Sequence, residues 1–164
     1  MTDTSFVVDD RIRQIAEAYA LDAVDFAREA FALRLDWSDS SIQQIETILD
    51  RMHDEIASAQ PTEDQVLQFG KMFGSYVGEV FRKNHGGVWG MVTIGADTFP
   101  GMEASKSGAR FWPSGRVEKR LLNGAEDNVW HYYQHLTQRH GQGSPLPEEP
   151  SQPKRSWWRR LRGA

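Results

Sequence analysis

The feature that most constrains this chain is a change of hydrophobic period near residue 88. Before it, apolar residues recur every three or four positions. After it, short runs rich in Val, Ile, Trp and Phe alternate with clusters of Gly, Asp, Pro and Ser. A period near 3.6 buries one stripe of a helix, whereas short β-branched and aromatic runs between turn residues suit strands. The pattern predicts an α+β domain, with three N-terminal helices and a final helix packed on one face of a small three-stranded antiparallel sheet.

The helical half divides at its capping signals. Asp9 and Asp10 precede Ile12, Ile15, Ala16, Tyr19, Ala23, Phe26, Ala27 and Ala30, a stripe that predicts a first helix with a break near Leu21. Ser38 is expected to cap a second helix, with Trp37 packing on Ile42 as a hydrophobic staple. That helix buries Ile42, Ile45, Leu49, Met52 and Ile56 and ends at Pro61. Thr62 and Gln65 form a capping box for a third helix carrying Val66, Phe69, Phe73, Val77 and Val80, stopped by Asn84 to Gly87. Strands are expected near 88–94, 99–104 and 109–112. A short helix then spans 116–122, and a last one has Glu126 and Asp127 in its first turn and Val129, Tyr133 and Leu136 facing the core.

Composition sets limits on function. With 39% hydrophobic residues, eight Phe, six Trp and four Tyr, residues 1–140 can form one cored domain. The absence of cysteine removes disulfides and thiolate chemistry. Up to residue 143 the chain carries 14 basic and 21 acidic residues, net −7, which argues against a broad nucleic-acid-binding face. From Ser144 onward there are five basic residues and two acids, net +3. Residues 141–153, rich in Pro, Gly and Ser, read as a linker to a basic tail, 154–164. The first ten residues carry acids and no long apolar run, and nowhere do eighteen apolar residues follow one another. A cytoplasmic chain is expected, peripheral at the inner membrane surface if the tail attaches it there.

The tail itself holds Trp157, Trp158 and Leu161 on one side of a helix, with Arg155, Arg159 and Arg162 elsewhere, the pattern of an interfacial amphipathic helix. Trp157, Trp158, Arg159 and Arg160 are its candidate contacts with an anionic membrane or a partner. Gly70, Gly74 and Gly78 recur every fourth residue in the third helix, each costing about 1 kcal/mol relative to alanine. They either admit close packing of a neighbouring element or floor a binding groove. Trp112 with Arg110, Arg116, Lys119 and Arg120 forms a second candidate patch, able to hold a phosphate or a base if the indole is exposed.

Other constellations have plain structural readings beside them. His85, Gly86 and Gly87 combine an anion-nest sequence with a helix C-cap. Asp127, His131 and His135 have metal-ligand spacing on what is also a solvated helix face. Glu79 could serve as an acid, or pair with Lys83 one turn on. No nucleophile elbow, P-loop or dinucleotide fingerprint is present, and nothing in the sequence calls for a cofactor.

The segment from Met72 to Trp89, with Phe111-Trp-Pro and Asn123-Gly-Ala-Glu-Asp-Asn-Val-Trp-His-Tyr-Tyr, resembles a family of small bacterial proteins without an assigned activity. The resemblance covers most of residues 10–138 and implies a helix-plus-small-sheet domain. It carries over no catalytic, binding or cofactor residue. The expectation is therefore a non-enzymatic module that binds an unknown protein partner, its tail attaching reversibly to a membrane or partner. A small enzyme with a pocket between the third helix and the sheet, using Glu79 or His85, is the first alternative. A nucleic-acid accessory protein is the second.

Overall fold

The computed structural model describes residues 4–138. The linker 141–153 and the tail, with Trp157, Trp158, Arg159 and Arg160, lie outside the described residues. A strand, β1 (Thr4–Val8), precedes the helices α1 (Asp10–Phe31), α2 (Ser41–Ala59) and α3 (Glu63–His85). Strands β2 (Gly87–Ile94), β3 (Asp97–Ala104) and β4 (Arg110–Phe111) follow. The described chain closes with α4 (Pro113–Asn123), a 3₁₀ turn (Ala125–Asp127) and α5 (Val129–Gln138). None of the described helices is long and apolar enough to cross a membrane.

The α+β class holds, and the strand count is corrected from three to four. The sheet is antiparallel in the order β1-β2-β3-β4, with β1 added at the edge of β2. Thr-Ser-Phe-Val-Val has strand-forming side chains, but five residues are too few for the period to stand out beside Asp9 and Asp10. The last helices also differ from expectation. Pro113 opens α4 at its first turn, where a missing N–H costs nothing, so this helix starts three residues early. Glu126 and Asp127 belong to the 3₁₀ turn, and α5 starts only at Val129. There is no break at Leu21, which faces solvent on a continuous α1.

Helix α3 is the centre of the molecule. Every residue from Met72 to Phe81 is buried, because α1, α4 and the sheet cover it on three sides. α1 approaches through alanines, Ala16, Ala20, Ala23 and Ala27, while Ile15 stays exposed. The Thr62–Gln65 capping box forms as expected, with reciprocal bonds of 3.1 and 2.8 Å. At the start of α2 the sequence reading is amended. The helix begins at Ser41, whose N–H donates to Ser38 Oγ at 3.2 Å, and Trp37 packs at a tilt against Tyr76 with ring centroids 4.8 Å apart.

The face of the sheet turned away from α3 has a small cluster of its own. Phe6, Val92 and Phe99 are cross-strand neighbours in one row, and Trp112 packs edge-on against Phe99 at 4.8 Å. Val92 and Trp112 are both buried. The sheet curls far enough for Arg110, on one edge strand, to donate to the Thr4 carbonyl on the other at 2.5 Å.

Candidate functional site

The glycines of α3 are filled contacts. At Gly70 the space a Cβ would occupy is taken by Glu118, and at Gly74 by the Ser114 backbone, its Cα 2.5 Å and its N 2.6 Å away. At Gly78 it is taken by the Trp89 ring and the Met102 sulfur. The stripe admits α4 and the sheet, which is the packing reading. Nothing along it forms an open groove floor, because another side chain or backbone already lies there.

Trp112 is likewise not the exposed indole of a nucleic-acid patch. It is buried in the Phe99 cluster, at the N-cap of α4. The basic residues around it are engaged internally. Arg110 bonds Glu103 at 3.1 Å, and Arg116 bonds Asp127 at 3.0 Å while lying over the Tyr132 ring. Arg120 is fully buried, donating through Nε to both oxygens of Glu46 at 2.9 Å and through Nη2 to Asp50 at 2.7 Å. These charges hold α4 against α2 and the 3₁₀ turn. Asp127 also accepts from Asn123 at 2.9 Å and lies outside α5, so it does not continue the helical spacing of His131 and His135. Among the described residues no cluster of three or more His, Asp or Glu is placed to hold a metal ion.

Two polar networks emerge that the sequence did not announce. Glu79, on the wholly buried stretch of α3, pairs with Arg82 rather than Lys83: Arg82 Nε donates to Oε2 at 2.6 Å and Nη2 to Oε1 at 3.0 Å. Trp89 Nε1 donates to the same Oε2 at 3.0 Å, so Glu79 fastens β2 to α3 beside Gly78. Burial pushes this carboxyl up, but the hydrogen bonds from Arg82 and Trp89 outweigh it and leave the carboxyl below its ordinary 4.5. Its stabilising effect is therefore complete above about pH 4.5 and is lost as pH falls through the lowered value. In acid denaturation from neutral pH, Glu79→Gln is expected to start less stable than wild type and to converge with it toward low pH. Parallel curves would show that the carboxylate contributes nothing.

The second network gathers around Asp39. Its carboxylate accepts from Tyr133 Oη in a short bond and from Asn84 Nδ2 at 3.3 Å, and His85 Nε2 lies 3.0 Å away. Asn84 also donates to the Trp37 carbonyl at 2.9 Å, and the Trp37 N–H donates to Tyr76 Oη at the same distance. These bonds hold Trp37 at φ 67°, a left-handed conformation an aromatic residue rarely adopts. His85 is thus part of a latch joining the 32–40 loop to α3 and α5, and not an anion nest. Its partner Asp39 is 46 residues away, so no local motif could have revealed the pair.

The accessible feature is the outer edge of β1. Asp9 N donates to Trp89 O at 3.1 Å, which makes Asp9 and Trp89 a hydrogen-bonded pair in the antiparallel ladder. By alternation, Val7 and Ser5 also bond inward, while Thr4, Phe6 and Val8 turn their N–H and C=O groups away from β2. Arg110 takes the Thr4 carbonyl. Flanking the groups of Phe6 and Val8 are Val7 and Val8 side chains that are 66% and 65% exposed, on opposite faces of the sheet, with Val88 exposed nearby. The missed signal is the Thr-Ser-Phe-Val-Val run itself. Fold and edge together define a small α+β domain in which the outer edge of β1 is exposed. Comparison with protein-family models, with curated proteins and with solved structures finds no match for this chain.

Proposed function

We propose that this chain is a non-enzymatic interaction module whose folded body takes up an extended segment of a protein partner along the outer edge of β1. The observation that carries this reading is the outward backbone of Phe6 and Val8, flanked by two exposed valines. Main-chain groups on a sheet edge give an added strand its hydrogen bonds, and neighbouring side chains select its sequence. The polar groups singled out for chemistry do not compete with this reading. Glu79 is sealed under Arg82 and Trp89, and Arg120 is locked to Glu46 and Asp50.

Val8→Pro tests it, because proline removes an outward N–H and leaves the inward bonds of Val7 and Asp9 in place. The full-length variant is expected to keep the wild-type circular dichroism and to lose, by tenfold or more, the protein that wild type captures from its host's extract. Equal capture by both would dismiss the strand-addition reading. Amide exchange adds a direct readout: Phe6 and Val8 should exchange fast in the free chain and become protected only when the captured protein is added.

The basic segment 154–164 is proposed as a reversible tether to an anionic membrane surface. Basic residues near such a surface gain about 1 kcal/mol each. The full chain should co-sediment with anionic liposomes at low salt, and a chain ending at Pro153 should not. Equal sedimentation of the two would assign the tail another role.

A further inference from the structure

The outer edge of β1 is complementary to itself. Phe6 and Val8 stand two residues apart, and each turns its N–H and C=O away from β2. In an antiparallel pair centred on Val7, Phe6 of one copy stands opposite Val8 of the other, and Val8 opposite Phe6. Each of these pairs exchanges both of its main-chain bonds, so every outward group of the two residues finds a partner. Centring the pair on Phe6 instead turns Val8 toward the Thr4 carbonyl, which Arg110 already holds.

Side chains and charges agree with the Val7 register. Nothing from Thr4 to Val8 is charged, and Val7 and Val8 are the most exposed large hydrophobic residues among those described. Val7 meets its own copy on one face of the sheet. On the other face Val8 lies beside the second copy's Phe6 and lengthens the row of Phe6, Val92 and Phe99. The acidic end of β1, Asp9 and Asp10, runs toward the Thr4 end of the other copy, where the Arg110 guanidinium sits on the Thr4 carbonyl. Asp10 is exposed, and the acids of the two copies fall at opposite ends of the added ladder. The edge therefore calls for a strand with an apolar centre followed by acid, and Thr-Ser-Phe-Val-Val-Asp-Asp is such a strand.

We propose that β1 pairs with β1 of a second copy of this chain, antiparallel about Val7, joining two four-stranded sheets into one continuous sheet. The inference rests on the strand-addition reading and names its partner. Five-residue strands bury little surface, so the association is weak and reversible, and the edge is open in the dilute chain.

Because the chain has no cysteine, one introduced thiol reports the register. Val7→Cys and Val8→Cys replace side chains of nearly equal exposure in the full-length protein. Across a non-hydrogen-bonded pair the two Val7 Cα atoms come within about 4.5 Å, inside disulfide reach, whereas the two Val8 positions are offset and stand beyond about 7 Å. Under mild oxidation at about 100 µM, Val7→Cys is expected to form a cross-linked dimer at least about tenfold faster than Val8→Cys, and adding Val8→Pro to it should remove that excess. Sedimentation velocity of wild type from about 2 to about 500 µM should move from monomer toward dimer, and Val8→Pro should stay monomeric. Equal cross-linking of the two cysteine variants, or a dimer that survives Val8→Pro, would overturn the pairing. A wild type that is monomeric throughout, yet whose Phe6 and Val8 amides are protected by a different protein, overturns the second copy as partner and leaves strand addition standing.

Discussion

Arg120→Ala is expected to destabilise the protein by about 3–5 kcal/mol, because it leaves the carboxylates of Glu46 and Asp50 facing each other without their cation. The loss extends beyond one pair. Glu46 Oε1 also accepts the Val129 N–H at 2.9 Å, so the same carboxylate satisfies an orphan donor at the first turn of α5. Without Arg120, α2, α4 and α5 lose the charge at which they converge. Arg120→Lys should recover only part of the stability, since one ammonium cannot reproduce the Nε and Nη2 bonds to two separate acids. Arg120→Met combined with Glu46→Gln should recover more, as it removes the buried charge while keeping an acceptor for Val129. Urea unfolding monitored by circular dichroism measures all three. An Arg120→Ala loss under about 1 kcal/mol would mean that the triad is solvated and structurally idle.

The other large effect is at Gly74. A Cβ there would stand 2.5 Å from Ser114 Cα and 2.6 Å from Ser114 N, which are backbone atoms of α4 and cannot swing aside. Gly74→Leu is therefore expected to prevent folding, and Gly74→Ala to cost upward of about 2 kcal/mol despite alanine's better helix propensity. Gly95→Ala is the contrast, since nothing lies within 4 Å of its Cβ position. Its cost should be only about 1 kcal/mol, from the positive φ at the β2–β3 turn. Expression and thermal melts of the three variants check the order. A stable Gly74→Leu would mean that α3 and α4 can separate without loss, and would return the glycine stripe to the groove reading.

Much of this architecture was legible in the sequence because it is local. The stripe Ile42, Ile45 and Leu49 and the Thr62–Gln65 box are written within a few residues, and the structure reproduces them. The turn between β2 and β3 follows in the same way from Gly95 and Asp97 between two apolar runs. The burial of Val129, Tyr133 and Leu136 was also readable from spacing, even though the start of their helix was not. A glycine repeat in a helix announced close approach, but not which element approaches. α4 supplies Glu118 and Ser114 at Gly70 and Gly74, and the sheet supplies Trp89 at Gly78.

What the sequence by itself determined is the succession of helices and strands from α1 onward, since period, caps and turn residues act over distances of a few residues. Only the tertiary structure decided the roles of the charged and aromatic residues. Whether Arg120 is a surface cation or a buried anchor depends on Glu46 and Asp50, 74 and 70 residues away, and whether His85 is a C-cap or part of a latch depends on Asp39. The same holds for β1, five residues that become a strand because β2, more than eighty positions later, offers them a ladder. Local pattern carries no information about partners that distant, and the free energy of a buried charge or an edge strand comes almost entirely from them.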